Sequence, residues 1–172
     1  PHNVYHYKEV GRLKKMLEKY FNFEVFLVTH QILPEEKMYK KYINLSGNAD
    51  NLDFYNRIDM HIGFRLHGHK WFLKNRKPSF LIAEDGRGWG HLATFNGLGI
   101  HSAPKYIKNK INTIDYDQLR KEGQRTEIDI NLILDILKEE IKNDFLITKS
   151  TLNDIDILYR KNVKIIKKIL EA

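Results

Sequence analysis

Apolar positions change their spacing several times along this chain, and each change marks an element. From Lys8 to Tyr20, Val10, Leu13 and Leu17 fall on one face with lysines opposite, which predicts an amphipathic helix. Phe23–His30, "FEVFLVTH", is a short apolar and β-branched run and reads as a buried strand. A polar connection broken by Pro34 follows, with room for one short helix. Asp50 or Asn51 can cap a helix containing Leu52, Phe54, Tyr55 and Ile58. Asp59–Phe64 is the second strand, and the segment from Leu66 to Asn75 is helical, with Leu66, Trp71 and Leu73 as its buried positions. That helix stops before Pro78. Ser79–Asp85 is a third strand, a continuous apolar run of the kind found in a sheet covered on both faces. A glycine-rich turn and a short helix closed by Gly97 or Gly99 come next, then an edge strand over Ile111–Asp117. Two amphipathic helices, Ile128–Ile141 and Thr151–Leu170, end the sequence.

Helices alternating with short apolar strands predict an α/β fold: one doubly wound, Rossmann-like parallel sheet with helices on both faces and three interior strands, Phe23–His30, Asp59–Phe64 and Ser79–Asp85. The length fits a single domain spanning residues 1–172. The first element is a helix with no strong strand before it, as expected for the C-terminal half of a longer two-domain protein.

Composition narrows the setting. Cysteine is absent, so disulfides and thiolate metal sites are excluded. No apolar run approaches the roughly 20 residues that cross a bilayer, and the first residues lack the apolar core of a signal peptide. A cytoplasmic location follows as an expectation. The formal charge of +7 favours anionic partners, although a lysine-rich surface gives the same number. The last helix, with its "YRKNVKIIKKIL", reads as an outer helix packed by one face or as a peripheral contact with anionic membrane at its inner face. No aromatic-basic platform suggests nucleic acid.

The candidate chemistry lies where two strands stop. In an open α/β sheet, ligands bind beyond the carboxyl ends of the strands. Arg65, His67 and His69 follow the second strand; Asp85, Arg87 and His91 follow the third. A helix start offers unpaired N–H groups, and Arg65 adds a planar donor fork, so together they can bind an anion. His67 beside that anion can exchange a proton near neutral pH. Gly86, Gly88 and Gly90 let the next loop bend close to a ligand. Plainer roles compete with these: Arg65 paired with a carboxylate, His61 and His67 as satisfied core groups, His69 and Lys70 on a solvated helix face, Asp85 as a helix cap. The i, i+2 spacing of His67 and His69 does not place them on one helix face, which argues against a shared metal.

The segment "IGFRLHGHKWFLKNRKPSFLIAEDGRGWGHLATFNGLGI" resembles the C-terminal half of the polysaccharide pyruvyl transferase family. The family pattern is a strand ending in Gly-x-Arg-(Leu/Phe)-His-(Gly/Ala), a helix, a turn with Pro or a small residue, and a strand ending in Asp followed closely by Arg. Here these are Gly63, Arg65, Leu66, His67 and Gly68, then Pro78, then Asp85 and Arg87. The close resemblance covers about 50 residues. The helix "HGHKWFLKNRKP" is bulkier and more basic than the family's alanine-rich one, and "DGRGWGHL" carries extra glycines and a Trp.

The resemblance implies a two-domain architecture similar to GT-B glycosyltransferases, of which this chain supplies one half. It implies transfer of a pyruvate ketal from phosphoenolpyruvate to a sugar of a cell-surface polysaccharide or its lipid-linked precursor, with no metal and no other cofactor. His67 becomes the proton donor. Arg65, Gly68, Asp85 and Arg87 become donor-binding residues, with His69 and His91 as further candidates, and the missing half or a partner subunit completes the cleft. Two other readings stand beside it. One is a GT-B half that binds a nucleotide sugar and needs a ribose-binding carboxylate, for which Asp115 and Asp117 are weak candidates. The other is a non-catalytic domain that binds anions or a partner subunit.

Overall fold

The computed structural model describes residues 6–29, 42–45, 49–102 and 128–171. They belong to two compact units, residues 4–59 and residues 60–172 with 1–3.

The first unit opens with α1 (His6–Phe21), whose Leu13 and Leu17 are buried. The Lys14 ammonium at its middle bonds to Glu18 and to the carbonyl of Val25, and Phe21 stacks on Phe23. β1 (Val28–Thr29) pairs in parallel with β2 (Ile43–Asn44) as a two-stranded sheet. A 3₁₀ helix, Ala49–Arg57, buries Tyr55 and sets Phe54 edge-on against Phe26. The expected interior strand Phe23–His30 is therefore much shorter. Asn22–Phe26 joins no ladder among the described residues, the Leu27 carbonyl accepts only the end bond from the Ile43 N–H, and Val28–Thr29 pairs outside the larger sheet.

The second unit holds a three-stranded parallel sheet in the order β3-β4-β5: β3 (His61–Gly63), β4 (Ser79–Ala83) and β5 (Gly99–His101). Between the strands run α2 (Leu66–Lys74) and α3 (Gly86–Phe95). Both crossovers step the same way across the sheet, so right-handed connections put both helices on one face. Contact between the His69 ring of α2 and the His91 ring of α3 fits that placement.

All five residues of β4 are buried, as expected for a central parallel strand. Ser79, Leu81 and Ala83 alternate toward the helices: Leu81 and Ala83 pack with Leu92, Leu66 and Trp89, and Trp89 Nε1 donates to the Ala83 carbonyl at 3.0 Å. Phe72 and Leu73 are the buried apolar residues of α2, while Trp71 is half-buried. Their burial and that of His69 follow the stripe Leu66, His69, Leu73 rather than the one expected through Trp71.

The chain is thus α/β with parallel strands, divided between two small sheets instead of one. The "DGRGWG" segment is helical from Gly86 onward; it is not a loop, and Asp85 caps it. Asn96 closes this helix in the left-handed conformation at φ 46°, ahead of the expected Gly97. The expected edge strand over Ile111–Asp117, and most of the connection after Pro34, lie outside the described residues.

Two further helices are described in the unit: α4 (Ile130–Lys142), which buries Ile133 and Leu137, and α5 (Leu146–Leu170). The buried Glu140 of α4 accepts from the N–H groups of Ile147 and Thr148, capping α5 from its neighbour. The first turns of α5 are anchored through buried Thr148 and Thr151, and α5 touches α3. No helix among the described residues is long and apolar enough to cross a membrane.

Candidate functional site

β3 and β4 are hydrogen-bonded neighbours, so their carboxyl ends put the starts of α2 and α3 side by side. These two starts carry the residues singled out by the sequence, and they are built differently.

α2 begins on Arg65, which holds the N-cap position in extended conformation without a side-chain cap bond. The first intrahelical bond is from the His69 N–H to the Arg65 carbonyl. The N–H groups of Leu66, His67 and Gly68 therefore precede the helix's own ladder. Arg65 is half-buried and His67 exposed. The result is a cationic rim: a guanidinium, an exposed imidazole and the positive end of a helix dipole.

α3 begins on Asp85, whose Oδ1 accepts from the N–H groups of Arg87 at 3.1 Å and Gly88 at 3.0 Å. Its Oδ2 accepts from Arg87 Nε at 3.0 Å and from the other guanidinium nitrogen at 2.6 Å. Burial pushes the Asp85 carboxyl upward, but the Gly88 N–H and the Arg87 side chain together outweigh it and hold the group below its ordinary value. This start supplies its own anion. Asp85 and Arg87 neutralise each other in a solvent-exposed pair, which costs little to open.

Beneath the helices lies a second polar group that the sequence reading divided wrongly. His69 is 0% exposed, not on a solvated face. Its Nδ1 and the Nδ1 of His61 both lie 2.8 Å from the buried Ser79 hydroxyl. That hydroxyl has one proton, so it can donate to at most one ring and must accept an Nδ1–H from at least one of them. His61 also stacks on Phe72 at 5.2 Å. The His91 ring meets His69 edge-on at 5.0 Å, and Nε2 of each is buried without a hydrogen-bond partner among the described residues. Burial, then the neighbouring His91, His61 and Lys70, lower the pKa of His69 to about 3; burial and Lys70 lower that of His91. Both rings are neutral at physiological pH. The signal for His69 was its place on the apolar stripe of α2; Ser79 gave none, because its two partners come from two other elements, β3 and α2.

The glycines of this segment find their reason here. A Cβ at Gly63 would stand 2.8 Å from His61 Nε2, and one at Gly68 would stand 3.2 Å from it. Gly68, expected at the donor, makes room for the half-buried His61 imidazole; its backbone N–H is what it offers the rim.

The structure therefore brings Arg65, His67 and Gly68 together at one helix start and Asp85 with Arg87 at the next, and takes His69 into the interior with the half-buried His91 against it. Among the described residues, no three His, Asp or Glu side chains form a group that could hold a metal ion. Asp115 and Asp117 lie outside the described residues. Comparisons with protein-family models, curated proteins and solved structures find no match to the chain.

Proposed function

We propose that this chain is a pyruvyl transferase-like domain that binds phosphoenolpyruvate at the start of α2 and transfers its pyruvyl group, as a ketal, to a sugar of a polysaccharide or its precursor in the cytoplasm. The observation that carries the reading is the uncapped helix start: Arg65 at the N-cap, His67 exposed within the first turn and three N–H groups ahead of the ladder.

Phosphoenolpyruvate is a compact polyanion, and this rim offers both kinds of donor it needs. The guanidinium takes a carboxylate or phosphate as a fork, and the helix start takes oxygens through its N–H groups. Protonated His67 passes its proton to the methylene carbon. The C=C bond becomes a methyl group on an oxocarbenium-like centre, and a sugar hydroxyl attacks that centre. Phosphate leaves with the C–O bond it was attached through, and a second hydroxyl closes the ketal. One hydroxyl proton restores His67; the other leaves on phosphate. Arg87 can turn from Asp85 to the departing phosphate, because the pair that holds it is exposed.

The test has two arms. In ligand-observed NMR, Arg65→Ala should remove phosphoenolpyruvate binding. In acceptor-dependent phosphate release, His67→Gln should lower turnover by about 10²–10⁴-fold with donor affinity nearly intact. Unchanged turnover in a His67→Gln protein of unaltered melting temperature would sink the assignment.

A further inference from the structure

The distal half of α5 presents a surface that no other described element covers. Tyr159 is 68% exposed, Ile169 69% and Leu170 80%, and Ile165, Ile166 and Leu158 are exposed beside them. At about 100° per residue, Leu158, Tyr159, Val163, Ile165, Ile166, Ile169 and Leu170 share an arc of about 160°. The buried Thr148 and Thr151 of the first turns fall on this same arc. The face that anchors α5 thus continues outward as an uncovered apolar strip, interrupted by Asn162.

The opposite arc is cationic. Between Ile157 and Leu170 it holds Arg160, Lys161, Lys164, Lys167 and Lys168, with Ile157 as its one apolar member, and the whole segment contains no Asp or Glu. Acidic residues resume only outside it, with Asp156 held by Arg76 at 2.8 Å and Glu171 at the end of the helix.

This charge distribution selects the occupant. A second copy laid along the strip would bring two such cationic segments together with no carboxylate between them. A nucleic acid would engage the lysines and leave the apolar arc in water. An anionic bilayer answers both arcs: acyl chains take the isoleucines and leucines, and headgroups take the lysines, whose long stems reach outward along the helix.

We propose that residues 157–170 of α5 lie in the plane of an anionic membrane surface, apolar arc down, and hold the domain there. The proposal is independent of the chemistry assigned to Arg65 and His67.

The whole chain is tested by co-sedimentation with vesicles of phosphatidylcholine and phosphatidylglycerol at three to one, and with phosphatidylcholine alone. The anionic vesicles should bind it at least ~10-fold more tightly, and high salt should release it. Lys164→Gln, Lys167→Gln and Lys168→Gln together should weaken binding by roughly 10²-fold, from three headgroup contacts. Ile165→Ser, Ile169→Ser and Leu170→Ser together should also abolish it; these positions are exposed, so circular dichroism should report an unchanged fold. Because the chain has no cysteine, Leu170→Cys carries an environment-sensitive dye at a single site, and its emission should shift to the blue on anionic vesicles only. Absent binding, equal binding to both vesicles, or no dye shift overturns the proposal. Self-association that the serine variant abolishes, without vesicle binding, would assign the strip to a second copy.

Discussion

At the carboxyl edge of the sheet, α2 opens on a cation with no cap, whereas α3 opens on Asp85, whose carboxylate fills two of its first N–H groups and holds Arg87 as well. Behind these starts the contrast reverses. The body of α2 is tied to the sheet by a buried polar bridge from His69 through Ser79 to His61. The body of α3 is held by apolar packing around Leu92 and by the bond from Trp89 to the Ala83 carbonyl. A helix start left open for a ligand loses cap stabilisation of about 1 kcal/mol, and an internal anchor can offset it. The two βα units teach that one polar investment can be made at the end of a helix or under its middle, and only the first arrangement closes the end to ligands.

The contrast can be broken first by acid. The unfolded His69 takes a proton below about pH 6.5, whereas the folded one resists it until about pH 3. Its folded pKa is depressed, so the stability it contributes is complete above pH 6.5 and declines as pH falls toward 3. From pH 7.5 to pH 5 the urea-unfolding free energy should fall by about 2 kcal/mol, and His91, shifted the same way, adds to the slope. His69→Gln, which cannot take the proton, should flatten this dependence; an unchanged slope would remove the anchor from the comparison.

A smaller effect should follow from the cap. Asp85→Ala should cost about 1 kcal/mol, and Asp85→Asn, which keeps an acceptor, should recover most of it. Thermal melts of the three proteins decide this, and anion binding at α2 should be unaffected in both variants. If binding falls with Asp85→Ala, the Asp85 carboxylate itself supports the α2 start, and the contrast between an open and a closed helix start is wrong.

The smallest effect belongs to Arg87→Ala. An exposed pair contributes little, so stability should change by no more than about 0.5 kcal/mol. A larger loss in chemical denaturation would mean that the guanidinium, not the cap, holds the start of α3.

The sequence reading found the βα order because period changes at Asp59–Phe64 and Ser79–Asp85 reflect local sterics and burial, and it weighed Asp85 as a cap because capping is decided within three residues. It misread "DGRGWG" as a loop, since three glycines outweighed the cap in front of them. It missed the bridge because His61, His69 and Ser79 meet only after two strands and a helix have packed. It extended Phe23–His30 into the main sheet because an apolar run does not reveal which ladder it will join. The candidate rim was legible at Arg65 and His67; that α2 starts without a side-chain cap while α3 starts with one depends on hydrogen bonds that no residue pattern displays.

The fit of His61 between Gly63 and Gly68 also limits the order in which this segment can be rewritten. A methyl group at position 63 would press on the imidazole 2.8 Å away, so Gly63→Ala is unfavourable while His61 is present. Replace His61 by a small residue first, and the same methyl enters open space. Positions 61 and 63 are therefore coupled: the cost of a side chain at 63 depends on whether the imidazole at 61 has been removed first.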